Sequence, residues 1–480
     1  MGGLREEDQG LMSFRNTMTR FAAFALACTA VLGSASGATT PAERLAAALQ
    51  YPTVSHQTAD LDETAFLGLH RYLEQSFPQT HATLKREVIA GYSLLYTWPG
   101  RDGSLAPMLL TSHLDVVPVS EASRGSWEHP PFAGAIADGY VWGRGAVDDK
   151  VGVLATLEAV EALVVAGFEP ERTVYLAFGH DEEVGGPAGA GAITRTLAER
   201  GVRLWFSLDE GMLIVEDGLF GVAGPIALIG IAEKGSLSLR LTARAKGGHS
   251  SMPPPTGAIG RLARAITALE SNPMPLRMGG VWEETVRALS PHLPFRTRLF
   301  LTTPPFSWMA RGRLSADPAA NAVVRTTTAV TMAGAGTKVN ILPREAWAVV
   351  NFRVVPGDDT GAVVERVRDI IDDPEIEIEV MSASEPSASA SARSEAYQLL
   401  AGAIAEIAPA APVIPALVVG GTDSKHYGQI ADDAYRFTPI RLRTEDRSRI
   451  HGVNERISLD SYREAIRFYE TLIESAASAP

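Results

Sequence analysis

Three short, almost wholly apolar runs, at residues 108–114, 173–179 and 204–208, constrain this chain more than any other feature. Runs of that length and composition mark strands covered on both faces. An apolar-periodic stretch at 151–166 and another at 188–200 separate them, and both predict helices. Buried strands alternating with helices imply an α/β fold, a mostly parallel sheet flanked by helices. The chain has 480 residues, 46% of them hydrophobic, which is enough for a large core and two domains.

Helices are expected upstream at 42–50 and 66–76, and a single strand at 87–97. The pattern changes near Ala232. Residues 236–245 alternate polar and apolar, as a half-exposed strand does. An amphipathic helix at 259–269, strands at 322–332 and 346–355, a helix at 360–371 and a last strand at 375–381 complete a small α+β sandwich. The Ser- and Ala-rich stretch 382–394 reads as a return linker. Helices and strands then resume. The chain thus divides into a first domain at 38–231 and 385–480 and an inserted one at 232–384.

Arg15 and Arg20 precede an apolar run at 21–32 and small residues at 33–37. That pattern reads as a signal peptide over 1–37 and predicts a periplasmic or secreted protein. The run is short for a membrane span. The only cysteine, Cys28, lies inside it, so the processed chain would lack a thiol. Disulfides, a cysteine nucleophile and thiolate-bound zinc are thereby excluded. The apolar run continues past Cys28, which argues against lipid anchoring there. A formal net charge of -13, without a Lys/Arg cluster, argues against a nucleic-acid partner.

Polar chemistry gathers where the apolar runs end. Ser112-His113-Leu114-Asp115 closes the first, and period-two geometry puts His113 and Asp115 on one side. Gly143-Arg144-Gly145-Ala146-Val147-Asp148-Asp149-Lys150 leads into the helix at 151, with glycines that allow close backbone approach. His180-Asp181-Glu182-Glu183 and Leu208-Asp209-Glu210-Gly211 close the other two. Open α/β sheets carry their sites at these ends. Alone, each piece is more often a structural histidine or a solvated acidic edge. Together, so many carboxylates on one rim repel unless cations neutralise them. Asp, Glu and His without Cys suit zinc or a similar divalent ion.

These segments, from Pro52-Thr53-Val54-Ser55 to His451-Gly452-Val453-Asn454-Glu455, resemble the aminoacylase and carboxypeptidase family of co-catalytic zinc exopeptidases, metallopeptidase family twenty. Residues 127–132 and 143–150 are similar to its carboxypeptidase S-like branch. The resemblance implies a zinc exopeptidase-like catalytic domain with an inserted ferredoxin-like lid and dimerisation domain, hence a homodimer. It implies two zinc ions, replaceable by cobalt or manganese, roughly 3.5–4 Å apart. His113 and Asp209 would hold one, Glu183 and His451 the other, and Asp148 would bridge them. Glu182 would be the general base, and Asp115 would fix the His113 tautomer.

In the inserted domain, His249 within Lys246-Gly247-Gly248-His249-Ser250-Ser251 would stabilise the oxyanion, from its own chain or a dimer mate. Asn340 would contact substrate, and Arg353 would clamp a substrate carboxylate with its planar fork. Thr422 and Asp423 would shape the pocket, with a weaker claim for His426. A loop histidine, a turn-forming asparagine and a surface ion pair are the plain alternatives for His249, Asn340 and Arg353. Residues 278–317 lengthen the inserted domain and carry Trp282, Phe295, Phe300, Phe306 and Trp308. They read as a satellite core, ahead of an apolar wall for substrate.

The chain is therefore expected to hydrolyse an amide bond next to a free carboxylate, in peptides or N-acyl amino acids. An aminopeptidase or deacetylase of the same family is the alternative. A non-catalytic metal- or peptide-binding protein is the alternative of another class.

Overall fold

Parallel pairing of the apolar runs decides where the site sits. The computed structural model describes residues 39–56, 61–219, 221–302 and 306–478, with the backbone alone at 306–310. The expected signal peptide and Cys28 lie outside the described residues. Pro41–Pro480 form one compact body, and the expected boundaries at 232 and 384 fall inside it.

Among the described residues the large sheet has ten strands. Its centre is Val174–Gly179, Met108–His113, Leu204–Asp209 and Ala431–Arg436, four parallel neighbours. Their carboxyl ends therefore share one rim. In register, His113 lies opposite Gly179 and Asp209 opposite Arg436. Ile226–Glu233 joins antiparallel to Ala431–Arg436 and pairs in parallel with Val413–Val418. The helix Lys150–Val165 is apolar almost all round because it lies between this sheet and the C-terminal helix Leu459–Ala477.

A second sheet runs Thr327–Ala335, Glu345–Val354, Gly235–Arg244, Ile376–Ser384, antiparallel throughout. The helices Ala258–Ser271 and Thr360–Ile371 fall in the chain so as to give the βαββαβ order of ferredoxin-like sandwiches. Leu237, Leu239 and Leu241 alternate inward and join Val350, Phe352, Leu262 and Val367 in one core. The opposite face holds Arg240, whose guanidinium lies 4.5 Å from the centre of the Trp347 ring.

Two expected elements change. Residues 87–97 do not form one strand. Lys85–Ile89 and Ser93–Trp98 are an antiparallel hairpin turned at Ala90-Gly91, both at positive φ. Residues 322–324 are helical rather than extended, since Asp317 caps the short helix Pro318–Val324, and the strand begins only at Thr327. The inserted aromatic segment is mainly helical. Trp282 packs with Val286 and Val324 in a satellite core. Thr285 Oγ1 donates to the Pro415 carbonyl at 2.7 Å, tying this segment to the large sheet. No helix among the described residues is long and apolar enough to cross a membrane.

Candidate metal centre

His113 ends its strand almost wholly buried, 1% exposed. Its Nδ1 lies 3.0 Å from the Asp115 carbonyl oxygen, which can only accept, so Nδ1 carries the proton. Nε2 is thereby turned to Asp148 Oδ1, 3.0 Å away. The other Asp148 oxygen, Oδ2, lies 2.9 Å from His451 Nε2. His451 Nε2 is also 3.2 Å from Glu183 Oε2. One carboxylate thus divides its two oxygens between two imidazoles. Ligand atoms of His113, Asp148 and Glu183 lie within 4.8 Å of one another, close enough to hold an ion.

Asp115 organises this end of the sheet. Its Oδ2 accepts from Ser55 Oγ at 2.6 Å and from the Glu183 N–H at 3.1 Å. Its Oδ1 accepts from the Glu182 N–H at 3.2 Å. Asp115 therefore fixes the His113 ring through its carbonyl and the turn that carries both glutamates through its buried carboxylate. The turn leaves through Gly185 and Gly186, both at positive φ. A Cβ on Gly186 would lie 1.9 Å from Asp423 Oδ1, so only glycine fits there.

The carboxyl groups are strongly perturbed. Burial, with Asp148, Asp423 and Glu183 nearby, pushes Glu182 well above the usual carboxylate range, although His113 opposes this. Burial lifts Asp209 to about 6. Burial also raises Asp149 to about 8, helped by the adjacent Asp148 charge. Asp148 moves the other way: its hydrogen bonds to His113 and His451 outweigh its burial. Hydrogen bonds to Asp148 and Glu183 raise His451 to about 10.

These residues suit a divalent ion on three grounds. The donors are imidazole nitrogens and carboxylate oxygens in convergent pairs. Glu183 Oε1 and Asp209 Oδ2 are buried without a hydrogen-bond partner among the described residues. Asp115 behind His113 is the outer partner that metal-binding histidines require.

Other expected residues fall in different places. Asp209 is buried on the same rim, its Oδ1 accepting from the Glu210 N–H, but it lies outside the group within 4.8 Å. Glu182, Glu183, His451 and Arg353 line one cleft of about 410 Å³. Thr422 and Asp423, expected to shape the pocket, are not among the residues that line it. They are buried while Gly420 and Gly421 form its wall. Thr422 donates to Glu233 Oε2 through its N–H and Oγ1, both at 3.1 Å. His426 contacts the Gly185 carbonyl at 3.0 Å. His249 and Asn340 are exposed and are not among the residues lining the cleft. His249 Nδ1 lies 2.8 Å from Ser251 Oγ.

Sequence reasoning missed what braces the Asp148 loop. Glu455 Oε1 accepts from the N–H groups of Gly145, Val147 and Asp148, and Oε2 accepts from Arg144 Nη1 at 2.5 Å. Arg144 Nη2 also donates to the carbonyls of His451 and Gly452. Both residues stood inside noted segments, yet nothing in their spacing reveals that they pair. Lys234 was missed too. It lines the same cleft while nearly buried.

A parallel α/β sheet whose rim carries paired imidazoles and carboxylates defines a metallohydrolase. Residues 109–475 match the family described as Peptidase family M20/M25/M40. A probable carboxypeptidase S-like protein of Dictyostelium discoideum is 41% identical over 446 residues, covering 90% of this chain and 84% of that protein. An N-fatty-acyl-amino acid synthase/hydrolase of Xenopus tropicalis is 39% identical over 439 residues, covering 90% and 85%. In fold, the chain is similar to an M20 family metallo-carboxypeptidase from Sulfolobus solfataricus, with TM-score 0.65, 18% identity and coverage of 91% and 99%. The chain belongs to peptidase family M20/M25/M40, in its carboxypeptidase S-like branch, and is a metal-dependent amide hydrolase.

Proposed function

We propose that this protein cleaves the amide bond next to a free carboxylate, in peptides or N-acyl amino acids, with two divalent ions, zinc by preference. The observation that carries this reading is Asp148, with one oxygen at His113 and the other at His451. His113 and Asp209 would hold one ion, Glu183 and His451 the other, and Asp148 would bridge them. When bound, such a pair polarises a carbonyl and makes water a nucleophile at neutral pH.

The chain's own residues supply the rest. Glu182 takes the proton from the attacking water and delivers it to the leaving nitrogen. Its raised pKa suits both tasks. Arg353 binds the free carboxylate. Its side chain makes no ion pair among the described residues and lines the cleft that holds Glu182. His249 stabilises the oxyanion in this reading, from a second copy or after the small sheet moves. Asn340 joins it there. The names of the two relatives favour the same substrate class, since a peptide C-terminus and an N-acyl amino acid both offer an amide beside a carboxylate. The leader pattern over 1–37 adds export to the reading, and full-length protein in the cytosol would remove that part.

A panel of N-acyl amino acids with free and amidated carboxyl ends tests the reading. The free acids are expected to be cleaved at least tenfold faster, the least one charge-assisted contact supplies at about 1.5 kcal/mol. Equal cleavage of both forms, or a preference for free amino termini, would overturn it.

A further inference from the structure

The cleft that holds the glutamates also contains a lysine with no assigned task. Lys234 stands at the crossing between Ile226–Glu233 of the large sheet and Gly235–Arg244 of the small one. Ser236 lies opposite Arg353 in register. Lys234, Ser236 and Arg353 line the one cleft.

Lys234 is 4% exposed. Its Nζ donates to the carbonyls of Ala322 and Arg325, both at 2.8 Å, at the end of the inserted helical segment. An ammonium has three donors, so one is uncommitted. No carboxylate lies within 4.0 Å of Nζ among the described residues. Its direct partners are neutral carbonyls, and Asp358, itself paired with Arg277, acts on it only from beyond contact; a buried ammonium without a direct anionic partner is costly. Burial, and then the nearby Arg353, lower it to about 8, which leaves it charged at neutral pH.

The acids of the cleft near it have partners of their own, although Glu233 Oε1 is buried without one among the described residues. Glu233 Oε2 accepts from Thr422 and lies 3.4 Å from Arg436 Nε. Both oxygens of Glu385 accept from Thr360. An entering carboxylate therefore meets Arg353 and Lys234, with Lys425 also on the wall, while Glu182 and Glu183 line the same cleft.

We propose that Lys234 is a substrate-binding residue that shares the free carboxylate with Arg353, held in position by the Ala322 and Arg325 carbonyls of the inserted segment. This rests on the carboxylate reading above. It adds a residue from the domain crossing, and it gives the inserted segment a part in specificity.

The test compares an N-acyl amino acid with its C-terminal amide on zinc-loaded enzyme. Lys234→Gln keeps donors for the two carbonyls and removes the charge. It should raise KM for the free acid about tenfold, leave kcat within about twofold, and leave the amide unchanged. The preference for the free acid then falls about tenfold. Lys234→Arg keeps the charge and should hold the preference within about threefold of wild type. The ratio of two substrates on one preparation is insensitive to the folded fraction. A lysine that merely pins the segment slows both substrates equally, and that result overturns the proposal. So does an unchanged preference in Lys234→Gln, or an equal loss in Lys234→Arg. A wild type without any preference for the free acid refutes the carboxylate reading itself before a variant is compared, and Lys234's role falls with it.

Discussion

Asp148 divides its oxygens between His113 and His451, and the residues around it exist to hold that pose. Asp115 fixes the imidazole on one side, and Glu455 gathers three N–H groups of the loop on the other. Glu455 is wholly buried against Arg144. Glu455→Ala would leave Arg144 buried and unpaired, at a cost of about 3–5 kcal/mol. Denaturant unfolding measures that, and a loss under 1 kcal/mol would contradict the assignment. Glu182→Gln should cut kcat by about a thousandfold while the bound metal, measured by atomic emission, is unchanged. Unimpaired turnover would remove Glu182 from the reaction. His113, Glu183 and Asp209 were legible because they close apolar runs, whereas Asp148 stands before a helix and His451 rested on the family resemblance. The braces were not: an Arg144–Glu455 pair joins residues from distant parts of the chain, and local sequence carries no signal of it. Thr422 and Asp423 were expected to shape the pocket because their loop resembles one that lines the family's site, and in the structure both are buried behind Gly420 and Gly421.

At the level of elements, periodicity served best where one face alone is buried or none is exposed. The helix Thr360–Ile371 has the bounds expected from its amphipathic pattern. The hairpin at Lys85–Ile89 and Ser93–Trp98 was merged into one strand because Ala90 and Gly91 interrupt an unbroken β-favouring composition only briefly. Residues 322–324, the end of the Pro318–Val324 helix, were taken for strand because Val323 and Val324 favour strands, whereas the Asp317 cap favours the helix. Caps are a measurable part of this logic. Asp62 accepts from the N–H groups of Thr64 and Ala65 at the start of Glu63–Ser76. Asp62→Ala should cost about 1 kcal/mol, read by thermal unfolding. Leu157→Ala, inside the sandwiched helix Lys150–Val165, should cost about 2–5 kcal/mol, and the larger loss would separate core from cap.

For the whole molecule, the site joins segments that the chain keeps far apart. His113 and Glu183 come from one stretch and His451 from another, beyond the small antiparallel sheet. A metal pair there would fasten both halves of the large sheet and stabilise the fold by mass action. Each zinc at a hundred times its dissociation constant adds about 2.7 kcal/mol, a rise of about 3 °C in Tm per ion for a chain of this size. Chelator should reverse it. The most direct test of the central claim is metal content per chain in the wild type and two variants. The account predicts two ions in the wild type, fewer than one in Asp148→Ala and about one in His113→Ala. A single ion in the wild type, or two retained by Asp148→Ala, would contradict it.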